Sequence, residues 1–173
     1  MARLFFALQP SSDDLDRLAR ALPDDLDAGR VIPRENLHVT LAFLGDVDTE
    51  LEAAAREAAA GVQAPPVTLS FTALAHWSGS RTRVLVPEAI PAEAQTLRGE
   101  LARRLRERGV PFDARIWRPH LTVARKARPA EEVPVEPLLF RFREFVLVHS
   151  RTDPAGARYV AIGRWRLQGH RSV

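Results

Sequence analysis

The chain has 173 residues, 46% of them apolar and 27% charged, with 13 prolines, 9 glycines and no cysteine; this is one domain's worth of chain, long enough to bury about 70% of its unfolded surface. The missing cysteine excludes disulfides, thiolate nucleophiles, Cys-ligated zinc and iron–sulfur clusters, and points to a reducing, cytoplasmic address. The net charge of +3 is unevenly placed: residues 1–80 carry 6 Arg against 12 acids, and residues 81–173 carry 19 basic residues against 10 acids. A polyanion such as RNA would be drawn to the C-terminal half, although a high-GC genome writes the same arginine bias without any function.

Taken in chain order, residues 3–8 (RLFFAL) form a short apolar run that predicts a strand and is too short for a signal-peptide core. Ser11 and Asp14 stand at capping-box spacing ahead of Leu15, Leu18, Ala19 and Leu22 at helical intervals. A polar loop from Pro23 to Arg34 follows, then an alternating strand at 37–45 and an Ala-rich helix from Asp48 to Ala60 stopped by Gly61. Strands are expected at 67–73 and 83–86, with His76 to Ser80 as the turn between them. Pro91 opens a helix with Leu97, Leu101 and Leu105 on one face, ending at Gly109. After a strand at 120–124 and a loop near 129–137, strands at 139–148 and 159–165 close the pattern. Nowhere do 18 uncharged apolar residues run together, so no membrane span is expected. No linker divides the chain. We read a single α+β domain over 1–173, in which an internal echo, NLHVTLAF and RPHLTVAR with histidines 82 positions apart, predicts two lobes.

Each echo contains His-x-Thr with apolar residues between. On a strand, alternation turns His38 and Thr40 to one face and Val39 and Leu41 to the other, and treats His120 and Thr122 in the same way. Two such strands meeting at a cleft assemble two imidazoles and two hydroxyls. That set suits phosphodiester chemistry without a metal: one His acts as base, its protonated partner as acid, and the Thr hydroxyls hold phosphate oxygens. Arg125 is the candidate for a bidentate phosphate clamp, although strict alternation would point it away from Thr122. The rival chemistry is a metal held by both histidines with Asp46 or Asp113.

With these residues in view, the sequence resembles the 2H phosphoesterase superfamily, and within it the bacterial and archaeal RNA 2′,3′-cyclic phosphodiesterases, historically called 2′-5′ RNA ligases. The likeness runs through RLFFAL, NLHVTLAFLG, RPHLTVAR and the terminal RYVAIGRW with Tyr159 and Trp165. It implies two pseudo-symmetric lobes, each an antiparallel sheet backed by helices and each giving one His-x-Thr strand (38–41 and 120–123) to a central cleft. It further implies hydrolysis of an RNA 2′,3′-cyclic phosphate end to a 2′-phosphomonoester, with His38 as proton donor, His120 as proton acceptor and no metal or other cofactor. A monomer acting on RNA ends is expected. Ligation of a cyclic phosphate to a 5′-hydroxyl, and RNA-end binding without turnover, are the competing readings.

Among the other residues, His76, His149 and His170 are expected at the surface or at strand ends, with His76, beside Trp77 in the turn, also open to flanking the cleft, and Phe43, of opposite parity to His38, in the core. Tyr159, Trp117 and Trp165 are open to base stacking or to core packing. Arg115, Arg118 and Arg128 surround the second motif, as RNA contacts or as a solvated rim, whereas Arg103, Arg104, Arg106 and Arg108 read as a solvated helix face. Gly45 and Gly79 read as turn glycines. No phosphate-binding loop or dinucleotide fingerprint is present, so no nucleotide cofactor is indicated.

Overall fold

The computed structural model describes residues 1–24, 26 and 29–169; His170 lies outside them. Among the described residues, nine strands form one antiparallel sheet and three α-helices pack on it. The strands are β1 (Ala2–Leu8), β2 (Arg30–Val31), β3 (Val39–Val47), β4 (Val67–Trp77), β5 (Thr82–Pro87), β6 (Leu121–Arg125), β7 (Val133–Phe142), β8 (Glu144–Asp153) and β9 (Gly156–Arg166). The helices are α1 (Ser12–Ala21), α2 (Thr49–Ala60) and α3 (Ala92–Glu107). Spatially the order is β7-β4-β5-β6-β3-β1-β8-β9, with β2 also on β6. Among the described residues, no helix is long and apolar enough to cross a membrane.

Local chemistry accounts for the helices. Ser11 caps α1 by accepting from the Asp14 N–H at 3.1 Å while its own N–H donates to the Asp14 carboxylate, the expected capping box. Asp48 caps α2 through the Leu51 N–H at 2.8 Å. Leu97, Leu101 and Leu105 of α3 are fully buried, each worth about 1.5–3 kcal/mol of transfer free energy. The helix ends through Gly109 at φ +66°, with the Val110 N–H returning to Leu105 O at 2.9 Å.

Strand β1 is buried on both faces, which explains its unbroken apolar run: Leu4, Phe6 and Leu8 join the main core under the helices, while Phe5 and Ala7 join a smaller cluster with Val146 and Val148 on the opposite face. That opposite face carries the site.

Several boundaries differ from the sequence reading. β4 continues through His76 and Trp77, confining the turn to 78–81, and β2 forms inside the expected 23–34 loop because Ile32 and Val31 find partners on β6. The expected strand 139–148 is two strands broken at Arg143. β7 lies at one edge of the sheet and β8 six positions along, about 29 Å away if the sheet were flat. A single intervening residue spans roughly 7 Å, so the sheet must bend back on itself to let the chain turn the corner. Gly45 is inside β3, with φ +75°, rather than in a turn. Because β8 and β9 join β1 and β3, the sequence halves are not the two half-sheets, and the charge asymmetry between halves does not map onto one side of the molecule.

Candidate functional site

The two half-sheets meet where β3 lies beside β6, and there a single residue pair is in register, Val39 opposite Leu121. Both side chains are fully buried in the core. Continuing the antiparallel register one residue in each direction places His38 across from Thr122 and Thr40 across from His120, all on the face away from the core. Beyond this point β3 and β6 diverge, and β2 takes over the β6 edge at Ala124 and Arg125. The two motifs are therefore arranged about a local two-fold where β3 and β6 separate.

The motif symmetry extends to the ring hydrogen bonds. His38 Nδ1 lies 2.7 Å from Asn36 O, and His120 Nδ1 lies 2.7 Å from Arg118 O, in each case the carbonyl two residues upstream. A carbonyl only accepts, so each Nδ1 carries the proton and each Nε2 is left for the site. His38 Nε2 is 3.0 Å from Thr40 Oγ1, and the Thr40 hydroxyl donates to the neutral ring. Asn36 itself is buried, its amide donating to Ala157 O at 2.8 Å and its oxygen accepting the Tyr159 N–H at 3.3 Å, which ties the segment ahead of His38 to β9.

Aromatic walls enclose both rings. Phe5 and Tyr159 stand 4.8 and 5.4 Å from His38, and Trp77 stands 4.3 Å from His120. The resulting desolvation is the main cause that pushes His38 down to about 4 from 6.5; its Asn36 contact opposes the fall, and the charges of His120 and Arg125 add to it. His120 is also held below its ordinary value by desolvation first, with the Arg118 charge adding and the Arg118 carbonyl opposing. With both held below 6.5, the imidazoles of the free protein are neutral at pH 7.

Two β-bulges decide which further residues share this face. On β6 the register passes from Thr122 to Ala124 opposite consecutive residues of β5, so Val123 is bulged and Arg125 returns to the Thr122 face, at the exposed end of the strand. On β3 the register skips Leu41, so Phe43 joins Thr40 and the small cluster beside Phe5 instead of the main core. Trp117 donates its indole N–H to Thr40 O at 2.8 Å and borders a groove with Phe43 and Trp77. Trp165 packs on Phe6 and Phe145, away from the site.

His76 is half-buried on β4, 3.4 Å from Ala127 O, and His149 is half-buried on β8 beside Arg151. Arg103 and Arg104 pair with Glu100 on α3, and Arg108 with Glu57. Asp113, one of the two carboxylates considered for a metal, is engaged by the Arg115 guanidinium at 2.9 Å, which holds it at about 2. Among the described residues, no three His, Asp or Glu side chains converge as a metal site. The sequence reading missed Asn36 and Phe5 and named Trp77 only as the neighbour of His76; the position of Asn36 two residues before His38 is the one signal that pointed to it.

Residues 7–168 match the model of the 2′-5′ RNA ligase superfamily. The chain is 32% identical over 173 residues to the RNA 2′,3′-cyclic phosphodiesterase of Escherichia coli (strain K12), covering 95% of this chain and 96% of that one. The apo crystal structure of E. coli LigT superposes with a TM-score of 0.86 at 30% identity, covering 97% of this chain and 98% of that one. The complex of E. coli LigT with 3′-AMP gives 0.85 at 30% identity, with 97% and 99% covered.

Proposed function

Because the chain belongs to the 2′-5′ RNA ligase superfamily, we propose that its cleft hydrolyses RNA 2′,3′-cyclic phosphate ends to 2′-phosphomonoesters by paired histidine catalysis that uses no metal ion. The observation that carries this reading is the Val39–Leu121 register, which brings both His-x-Thr pairs to one face while each Nδ1 is held by a backbone carbonyl and each Nε2 is turned away from it. We treat residues 1–173 as one bilobal domain in which each half-sheet gives one motif strand.

The cyclic phosphate occupies the space between the imidazoles. His120 Nε2 takes a proton from water as the water oxygen bonds to phosphorus, the P–O3′ bond breaks, and His38 gives its proton to O3′, leaving the phosphate on O2′. The hydroxyls of Thr40 and Thr122 donate to the non-bridging oxygens, and Arg125 adds a cation beside them. Desolvation, His120 and Arg125 keep His38 neutral in the free enzyme. A bound phosphate anion reverses that balance, so the acid charges when substrate arrives. The Thr40 hydroxyl, which donates to the neutral His38 Nε2, is released toward the phosphate once that nitrogen is protonated. That E. coli LigT was solved in complex with 3′-AMP supports a nucleotide end as the class of substrate.

The test is turnover of a ribo-oligonucleotide ending in a 2′,3′-cyclic phosphate, with EDTA present, followed by identification of the monoester. The expected product is the 2′-phosphate. Activity abolished by EDTA and restored by a divalent cation would overturn the mechanism.

A further inference from the structure

The two flanks of the histidine pair differ in charge. Beside His38, the depression containing Asn36 and Tyr159 carries Glu35 and Asp153 against Arg158 and Arg164, and is neutral. Beside His120, a groove of about 350 Å3 starts at Thr40 and His120 and runs along β3 to Phe43. It carries Arg98, Arg115 and Arg118 against Asp113 alone. Arg3 adds a fourth cation, its guanidinium 4.9 Å from the centre of the Phe43 ring.

The outer wall of this groove is the segment 113–118, which is fixed to β3 by the Asp113 N–H donating to Phe43 O at 2.9 Å and by the Trp117 indole on Thr40 O. On that fixed backbone, the Arg115 side chain is 88% exposed and Ile116 is 92% exposed. An isoleucine in water beside an arginine, at the mouth of an aromatic groove, serves no core and no helix face. Inside, Arg98 has a buried Nε–H without a hydrogen-bond partner, and Arg118 lies 4.6 Å over Trp77. Cations interleaved with aromatic and apolar surface are what a single-stranded nucleic acid recognises: phosphates take the charges, and unstacked bases take the flat faces.

We propose that the RNA strand leaves the reaction centre through this groove, with the nucleotide preceding the terminal one held on the Arg115–Ile116 lip, so that the enzyme selects single-stranded RNA ends over cyclic mononucleotides. The inference rests on the cyclic phosphodiesterase reading and adds to it the direction of the strand and the origin of the preference. A groove of this volume is at the small end of ligand sites and takes a nucleoside, not a duplex end.

The experiment compares kcat/KM for a 2′,3′-cyclic mononucleotide and for an oligonucleotide with the same 3′ nucleoside, in the wild type and in an Arg115→Ala/Ile116→Ser double variant. Both positions are exposed, and the urea unfolding transition of the variant confirms its fold. The wild type should favour the oligonucleotide by about tenfold or more, the scale of one stacked base. In the variant that ratio should fall toward one, and the salt dependence of log kcat/KM for the oligonucleotide should become shallower by about 0.7, one phosphate contact on a single strand. A wild-type ratio near one, or a variant that keeps both the ratio and the slope, overturns the proposal. If neither substrate turns over, the phosphodiesterase reading fails. The groove is then decided by fluorescence anisotropy of a labelled oligonucleotide ending in a 2′-phosphate: weaker binding and a shallower salt slope in the variant support it, and unchanged binding refutes it.

Discussion

The burial of His38 makes a thermodynamic demand separable from catalysis. Its folded-state value of about 4 lies below the 6.5 of an unstructured histidine, so the unfolded chain binds a proton that the folded chain refuses. The stabilising effect of keeping His38 neutral is therefore absent from the pH dependence above 6.5, where both states are deprotonated; stability is lost progressively as pH falls from 6.5 to 4, and the loss levels off below. At ~1.36 kcal/mol per pKa unit, the gap between 6.5 and about 4 corresponds to about 3 kcal/mol. His38→Asn is the suitable perturbation, because an amide N–H replaces Nδ1–H opposite Asn36 O and nothing remains to titrate. Urea unfolding of both proteins between pH 7.5 and 4 isolates the effect, since the carboxylates are common to both and cancel in the difference. The wild type should lose about 3 kcal/mol more than the variant over this range. Parallel curves would refute the argument and with it the picture of a ring desolvated by Phe5 and Tyr159.

The other expectations concern rate. His38→Ala and His120→Ala should each reduce kcat/KM by ~10²-fold or more, and Thr40→Ala and Thr122→Ala by less; near-full activity in either histidine variant would remove the paired assignment. The kcat/KM profile should be a bell whose alkaline limb lies below pH 6.5, since burial lowers both histidines, and the kcat profile should move to higher pH because bound phosphate raises them. A rate climbing steadily from pH 5 to 9 would point instead to hydroxide or metal-bound water. Arg125→Ala should raise the lower of the two apparent pKa values by removing a cation near His38, besides weakening substrate binding; an unmoved acid limb would show that Arg125 acts on the substrate alone. Asn36→Ala should lower kcat more than it raises KM and broaden the His38 ring NMR signals, because the clasp to β9 that aims the ring is lost, and a change in KM alone would deny Asn36 that positioning part.

Much of this architecture was legible in the sequence because it is local. The Ser11–Asp14 cap, the leucine face of α3 and the His-x-Thr alternation are each settled within a few residues, and the α+β class follows from their order. What was not legible depends on partners far along the chain. Phe43 was assigned to the core by strict alternation, yet the bulge at Leu41, set by pairing with β1, turns it toward Thr40. Arg125 needed a bulge whose existence the sequence could not state, and β5 supplies it at Val123. The break at Arg143 lies inside an uninterrupted strand-like pattern, because what ends β7 there is the curvature of the whole sheet rather than any residue signal. Trp77 reached His120 only because β4 runs on past its expected end.

The interleaving of strands also sets an order in which the parts can form during synthesis. Strands β4 to β7 occupy the unbroken stretch 67–142 and pair among themselves, so that half-sheet is complete as soon as Phe142 has emerged. β1 and β3, made first, have one long edge without its partner until β8 is added, and β9 follows only after that. Their apolar face, with Phe5 and Ala7, must wait through most of translation with Val146 and Val148 still to come. Contacts of such sequence separation form slowly and leave strand edges open to the wrong neighbours. The His38 side of the centre is thus the last to be completed, and a nascent chain arrested before β8 would present the second His-x-Thr strand on a finished half-sheet while the first, paired with β1, still lacked β8 and β9 beyond it.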